Sequence, residues 1–219
     1  MIKHTYQEYN NREERNKFIA NKLKKYLGNS VLNVGGGGEK HLQKYLPTTT
    51  KYTEIDIDGK PDIMCNLEKD LPLKILDNAF ETVIASDVLE HLENPIDVLE
   101  EMIRVSNKYI VLSLPNNWCT LKFEFLKNNG QSGKFYGFPI YKPNDRHKWF
   151  FNAIEAEMFF KEVSKKYSLE IVELFHIGYF HKNYFKNFSR LLVSVLFGNN
   201  VRKNLFSTAI WCVLEKKDK

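Results

Sequence analysis

Cysteine is scarce in this 219-residue chain, and its spacing is uninformative for pairing. Cys65, Cys119 and Cys212 are odd in number and far apart, which excludes a disulfide framework and a C-x-x-C metal or redox motif. Long apolar runs are also missing. The most apolar stretch lies near Leu191 to Phe197, far below the roughly 20 residues that span a bilayer, so a transmembrane segment is not expected. The opening residues, MIKHTYQEYNNREERNK, lack the apolar core of a signal peptide. Charge of one sign is not in large excess: 32 Lys and Arg against 27 Asp and Glu leave +5, too little for a nucleic-acid-binding tail. No Gly/Ser/Pro-rich linker, repeat or low-complexity segment divides the chain. With 43% hydrophobic and 27% charged residues, the expectation is a single cytoplasmic globular domain over residues 1–219.

Strand and helix signals alternate along the chain. Phe18, Ile19, Leu23 and Leu27 recur at helical spacing in an amphipathic helix expected over 8–27, and Gly28 stops it. Val31–Val34 reads as a buried strand feeding four glycines, followed by a short helix over 39–46 that Pro47 ends. Strands are expected at Lys51–Ile57, Asp62–Leu67, Phe80–Ser86 and Tyr109–Leu114, with a helix over 95–105 opened by Pro95. Residues 116–150 read as irregular. A helix at 152–165 and strands near Leu169–Phe175 and Ser207–Leu214 complete the pattern. Strands alternating with helices imply βαβ units and a mostly parallel sheet, whose ligand crevice lies at the carboxyl ends of the strands.

Gly35-Gly36-Gly37-Gly38 after a buried strand permits close approach of backbone to a nucleotide or cofactor. The dinucleotide pattern G-x-G-x-x-G is broken by Lys40 and His41, which argues against NAD. Asp56, 19 residues beyond Gly37 at the end of the second strand, stands where a carboxylate accepts both hydroxyls of a ribose.

Five stretches in order, VLNVGGGGEKHLQKYL, YTEIDID, PDIMCNLEKDLPL, AFETVIASDVLEHLENPIDVLEEMIRV and YIVLSLPN, resemble a class I S-adenosylmethionine-dependent methyltransferase, with the MetW-like and type-11 groups most similar. The resemblance is continuous over residues 28–118 and weaker through Phe160. It implies a Rossmann-like seven-stranded sheet of order 3-2-1-4-5-7-6 flanked by helices. The cofactor would be S-adenosyl-L-methionine and the product S-adenosyl-L-homocysteine. By position, Asn33, Gly35 and Gly37 would meet the methionine part, Asp56 the ribose, Ile57 and Asn66 the adenine, and Ser86 and Val88 would line the cofactor. Two positions depart from the family pattern: Asn33 replaces an acidic residue, and Glu39 replaces the third glycine and would repel the cofactor carboxylate unless it points outward.

For a hydroxyl acceptor the protein must align the nucleophile and remove a proton, a task suited to histidine. His91, after the fourth strand, and His147, before the penultimate helix, are the catalytic candidates; the plain alternative for each is a surface or capping histidine. Asp87, Glu90 and His91, at i, i+3 and i+4, would share a helix face and could hold Mg²⁺ or Mn²⁺. That pattern is similar to the E-x-x-E-H of metal-dependent quinone-biosynthesis and small-RNA 2′-O-methyltransferases, but it also occurs in metal-free relatives, where the carboxylate caps or salt-bridges. Trp118, Phe135, Tyr136, Phe138, Tyr141, Lys142, Arg146, Lys148 and Trp149 read as an acceptor lid over 116–150, or as packing, with Tyr6 and Tyr9 closing the other side. The basic, apolar insertion over 179–206, with Lys182, Lys186, Arg190, Arg202 and Lys203, is expected to pack on the sheet; the alternative is a homodimer or membrane-surface contact through 181–206.

The function expected is methyl transfer to a small, anionic or sugar-containing acceptor, such as an oxygen of a sugar or phosphate-containing metabolite in a bacterial surface-polysaccharide pathway. Nucleic acid is not the favoured partner. The alternatives are a metal-dependent RNA methyltransferase and a non-catalytic cofactor-binding partner protein.

Overall fold

A computed structural model describes residues 3–4, 9, 11–127, 147–180 and 183–217, with residues 3–4 and 123–127 described by backbone alone. Among the described residues eight strands form one sheet: β1 (Lys3–His4), β2 (Ser30–Val34), β3 (Lys51–Asp56), β4 (Ile63–Met64), β5 (Phe80–Ser86), β6 (Ser106–Pro115), β7 (Leu169–Ile177) and β8 (Ala209–Lys216). Their order is β1-β7-β8-β6-β5-β2-β3-β4. Without the two-residue β1, this is the expected order 3-2-1-4-5-7-6. β8 alone runs antiparallel to its neighbours β6 and β7, and β1 extends the edge by pairing in parallel with β7.

Alternation of side chains divides the core between the two faces. From β6, Ile110, Leu112 and Leu114 enter one apolar cluster and Val111 the other; from β8, Cys212 and Leu214 separate in the same way from Trp211 and Val213. Helix α2 (Pro95–Val105) covers the first face with Val98, Leu99, Met102 and Val105. Beside it lies α4 (Ala153–Lys166), opened by a capping box in which Asn152 accepts from Glu155 N–H and Glu155 accepts from Asn152 N–H. The second face is covered by α1 (Arg12–Lys22), capped by Asn11, through Phe18, Ile19 and Ala20. Phe18 meets Trp211 at 5.7 Å between ring centroids and Phe175 at 6.0 Å. This aromatic cluster fixes α1, and with it Arg12 and Arg15, beside the crevice.

Three local expectations change. The opening helix is shorter, ending at Lys22 before a 3-10 turn over Lys24–Tyr26, and residues 39–46 hold only a 3-10 turn at Leu42–Tyr45. The stretch after β6 is not irregular throughout: α3 (Asn117–Lys127) begins almost at once, in a sequence free of Gly and Pro. The insertion between β7 and β8 folds as α5 (Tyr184–Phe197) and α6 (Asn199–Phe206), and α5 buries no residue. Its expected packing on the sheet is therefore not what forms. Among the described residues no helix is long and apolar enough to cross a membrane.

Candidate active site

The crevice begins where β2 stops. Gly35 N–H donates to Ile55 O at 2.8 Å, and Gly37 N–H donates to Asp56 Oδ2 at 2.6 Å, so the glycine turn is bonded to the end of β3. Gly37 has φ +92°, a conformation L side chains rarely adopt, and a Cβ there would collide with Arg12 Nη1. The guanidinium of Arg12 thus lies against the turn. Asp56 Oδ1 accepts from Asp58 N–H at 3.1 Å, so each carboxylate oxygen takes one backbone N–H and has a further lone pair. Ile57, next in the chain, is 63% exposed at the crevice rim. Val88 packs over Gly35, and Ser86 is buried beside Ser113 Oγ at 3.4 Å. Asn66 closes its own turn, its Oδ1 accepting from Glu68 N–H at 2.9 Å.

Asn33 is buried, and Glu54 stands beside it in the β2–β3 register. Asn33 Nδ2 donates to Tyr52 OH at 2.9 Å and lies 3.4 Å from Glu54 Oε2. The Glu54 carboxylate, fully buried, accepts from Tyr52 OH at 2.5 Å and from Lys40 N–H at 3.2 Å. Burial, reinforced by Glu54, pushes the Tyr52 phenol far above its ordinary range. A Cβ on Gly36 would run into Glu54 Oε2. The acidic group missing at position 33 is therefore supplied from β3. Glu54 and Tyr52 escaped the sequence reading because their role depends on strand register; the available signal was that positions 33 and 54 both stand one residue before the crevice-end pair Val34 and Ile55. Glu39 points outward, exposed, with Oε2 2.5 Å from His41 Nε2.

At the other end of the crevice, Asp87 parts from Glu90 and His91. Asp87 has φ +53°, and the chain then forms a 3-10 turn over Leu89–His91 rather than the α-helix that would put the three on one face. Its carboxylate accepts from Arg15 Nη1 at 2.5 Å and from Ser113 Oγ at 2.6 Å. His147 takes its place. One ligand atom each from Glu90, His91 and His147 lies within 4.8 Å of the others, with His91 Nε2 3.7 Å from Glu90 Oε1 and the two imidazoles 4.6 Å apart between centroids. Glu90 is fully buried and His147 nearly so.

The backbone holds this cluster from both sides. Lys148 N–H and Trp149 N–H donate to Glu90 O at 2.7 and 3.2 Å, and Trp149 Nε1 donates to Leu92 O at 2.7 Å. Asn117, at the start of α3, donates from Nδ2 to Trp149 O at 3.2 Å, so its Oδ1 faces His147 Nδ1 at 3.1 Å as an acceptor. That bond puts the proton of a neutral His147 on Nδ1 and makes Nε2 its acceptor nitrogen.

Other expected residues have different surroundings. Lys148 is ion-paired with Glu68 and Glu93. Trp118 and Trp149 are 52% and 44% exposed. Tyr9 accepts at its hydroxyl from Trp211 Nε1 at 3.0 Å, and burial, with Asp87 nearby, pushes its phenol far up. Tyr6, Phe135, Tyr136, Phe138, Tyr141, Lys142, Arg146 and Lys182 lie outside the described residues.

Several solved structures share this architecture. The plantazolicin methyltransferase BpumL, in complex with S-adenosylhomocysteine, matches with TM-score 0.58 and 16% identity over 94% of this chain and 85% of its own. A SAM-dependent methyltransferase from Archaeoglobus fulgidus gives TM-score 0.57 and 16% identity, over 94% and 95%. The [4+2]-cyclase SpnF gives 0.56 and 14%, over 100% and 88%. No curated protein matches the chain. The fold is thus the Rossmann-like fold of class I S-adenosylmethionine-dependent methyltransferases. The family model of the methionine biosynthesis protein MetW matches residues 16–141, more than half of the chain, and the chain belongs to that family.

Proposed function

We propose that the chain transfers a methyl group from S-adenosylmethionine to a hydroxyl oxygen of a small acceptor. The observation that carries this reading is the convergence of Glu90, His91 and His147 one turn beyond the strand that, with the glycine turn and Asp56, forms the crevice. Asp56 would accept the ribose hydroxyls, Ile57 would lie against the adenine, and Gly35, Val88 and Ser86 would line the cofactor. Arg12, against Gly37, would face the methionine carboxylate, and Glu39 is turned away from it.

Methyl transfer from a sulfonium is an in-line displacement: the acceptor oxygen forms its bond to the methyl carbon as the carbon–sulfur bond breaks and a neutral sulfide departs. The acceptor proton must leave, and His147 Nε2, oriented through Asn117, is the base best placed to take it. His91 would hold the acceptor beside it. The exposed rings of Trp118 and Trp149 suit the apolar face of a sugar, whereas Lys148 is already neutralised by two carboxylates, which favours a sugar-like acceptor over a phosphate.

The cluster also fits a divalent ion. Its donor atoms lie within 4.8 Å of one another and would draw closer around an ion, and two imidazoles with one carboxylate suit Mn²⁺ better than Mg²⁺, which prefers oxygen. Glu90, His91 and His147 would hold it, and it would supply a lowered pKa for the acceptor hydroxyl. Asp87 stays with Arg15 and Ser113.

A second reading, a cofactor-binding partner protein without transfer activity, is favoured by the sharing of this fold with a cyclase. Calorimetry with S-adenosylmethionine and S-adenosylhomocysteine, with and without Mn²⁺, tests the first. Micromolar binding is expected, weakened at least about 100-fold in Asp56→Ala, whose two charge-assisted bonds to the ribose are lost. Absence of binding under every condition overturns it, and binding without turnover on any hydroxyl acceptor leaves the second.

A further inference from the structure

Helix α5 is amphipathic, and it is inside out. At about 100° per residue, Tyr184, Phe185, Phe188, Leu191, Leu192, Val195 and Leu196 fall within an arc of about 140°. All seven are exposed, Phe185 at 84%, Val195 at 75% and Leu196 at 71%. The opposite, more polar side faces the protein: Arg190 Nη1 donates to Gly178 O at 2.6 Å, and its guanidinium lies 4.9 Å from the Phe206 ring. An apolar face about 21 Å long is thus held out to solvent by the contacts of its polar side.

The charge around this face has one sign. Residues 174–214 contain five cations, Lys182, Lys186, Arg190, Arg202 and Lys203, and no acid. Of these Lys203 pairs with Glu157, Arg202 is buried over the Tyr179 ring and Arg190 is turned toward the protein, so that Lys186 is the exposed cation of α5 itself. Of the 32 cations and 27 acids of the chain, the remaining 27 cations and 27 acids cancel, so the whole net charge of +5 lies in this insertion. A second copy of the chain would bring like charge against like. RNA would meet seven apolar side chains where it needs a phosphate-tracking row of cations. We propose that α5 docks on the surface of an anionic lipid bilayer, its aromatic and aliphatic face entering the headgroup region while the exposed Lys186 beside that face reaches the lipid phosphates.

Docking there would bring the acceptor end of the crevice to the membrane. β7 ends and β8 begins at the same sheet edge as the glycine turn. Asn116, next to the residue that orients His147, donates from Nδ2 to Ser207 O at 2.6 Å and Asn204 O at 2.8 Å, tying α6 to that edge. The proposal does not rest on methyl transfer.

Flotation of the full chain with phosphatidylcholine vesicles, with and without phosphatidylglycerol, tests it. Binding is expected to be at least about tenfold stronger to the anionic vesicles and to weaken with salt. Phe185→Ser/Val195→Ser/Leu196→Ser should abolish binding while leaving far-UV circular dichroism and the melting temperature within error of the parent. Lys186→Glu should reduce the preference for phosphatidylglycerol. No binding, equal binding to both vesicles, or binding retained by the triple variant overturns the proposal. So does a lipid-free dimer in sedimentation that the triple variant dissociates, or RNA binding that the triple variant keeps and Lys186→Glu loses.

Discussion

Replacing Glu54 by Gln should loosen the fold and spoil the glycine turn together. In the parent, Tyr52 OH donates to the carboxylate while accepting from Asn33 Nδ2, and Lys40 N–H donates to the other oxygen. A glutamine can keep its carbonyl for Lys40, but its amide then faces Tyr52, and the phenolic proton has no acceptor. The loss is one charge-assisted bond and one orphaned donor in a fully buried place, about 2–3 kcal/mol, or about 4–12 °C in Tm for a chain of this size. Asn33→Asp alone sets two carboxylates side by side and should also destabilise. Together the substitutions restore every partner. The carboxylate introduced at position 33 accepts from Tyr52 OH and from the amide introduced at position 54, whose carbonyl accepts from Lys40 N–H. Urea unfolding and S-adenosylmethionine calorimetry on the four proteins should show the double variant recovering most of both losses, with a coupling of about 1.5–2 kcal/mol. Additive effects would refute the account of Glu54 as the displaced acidic group of the turn.

Three other outcomes follow from the site and its supports. His147→Gln should lower turnover by about 10²–10⁴-fold with cofactor binding kept, and Asn117→Ala should lower it less while displacing the pH–rate profile, since it frees the tautomer; steady-state kinetics with a turned-over hydroxyl acceptor would show either. Gly37→Ala must push Arg12 aside and hold a side chain at φ +92°, costing about 1–2 kcal/mol of stability and weakening cofactor binding, as melting and calorimetry would report. Glu157 accepts from His176 Nε2 at 2.8 Å and Lys203 Nζ at 2.6 Å, and these bonds hold its carboxyl below the usual range despite opposing burial. Being depressed in the folded state, it contributes stability that is present above about pH 4.3 and lost as acid passes its folded value. Melting followed from pH 6 to pH 3 should fall less steeply in Glu157→Gln.

What was legible in the sequence was what local pattern determines. Phe80–Ser86 and Pro95–Val105 form as spaced, because an apolar strand and a proline-led amphipathic helix each carry their own signal. The place of Asp56 at the end of β3 was legible from the alternation of the strand itself. Residues 39–46 misled because Lys40 takes a left-handed φ of +52°, which breaks the helix and leaves only the 3-10 turn at Leu42–Tyr45 before Pro47. The pairing of Asn33 with Glu54 was hidden, since it depends on which residue of one strand lies beside which of the next. Asp87 was misplaced for a different reason: i, i+3 and i+4 share a face only in an α-helix, and a left-handed residue followed by a 3-10 turn sends its carboxylate to Arg15, 72 positions away.

Helix α5 shows most plainly what periodicity leaves open. The spacing of Phe185, Phe188, Leu192 and Leu196 announces an apolar face, and the ordinary expectation is that such a face is buried. Periodicity fixes that the face exists but not its direction, which is set by a few polar contacts elsewhere on the helix. Here Arg190 reaches Gly178 O, just after β7, and Ser194 Oγ donates to Asn199 Oδ1 at the start of α6. These contacts hold the polar side against the protein, and the apolar side has nowhere to go but outward. The sheet did not need it: both its faces are already closed by α1, α2 and α4 with fully buried side chains such as Phe18, Leu99 and Phe160. Once a core is filled, a further apolar helix can lower its free energy only by finding a surface outside the fold. The concentration of the chain's net charge around α5 says which sign that surface carries.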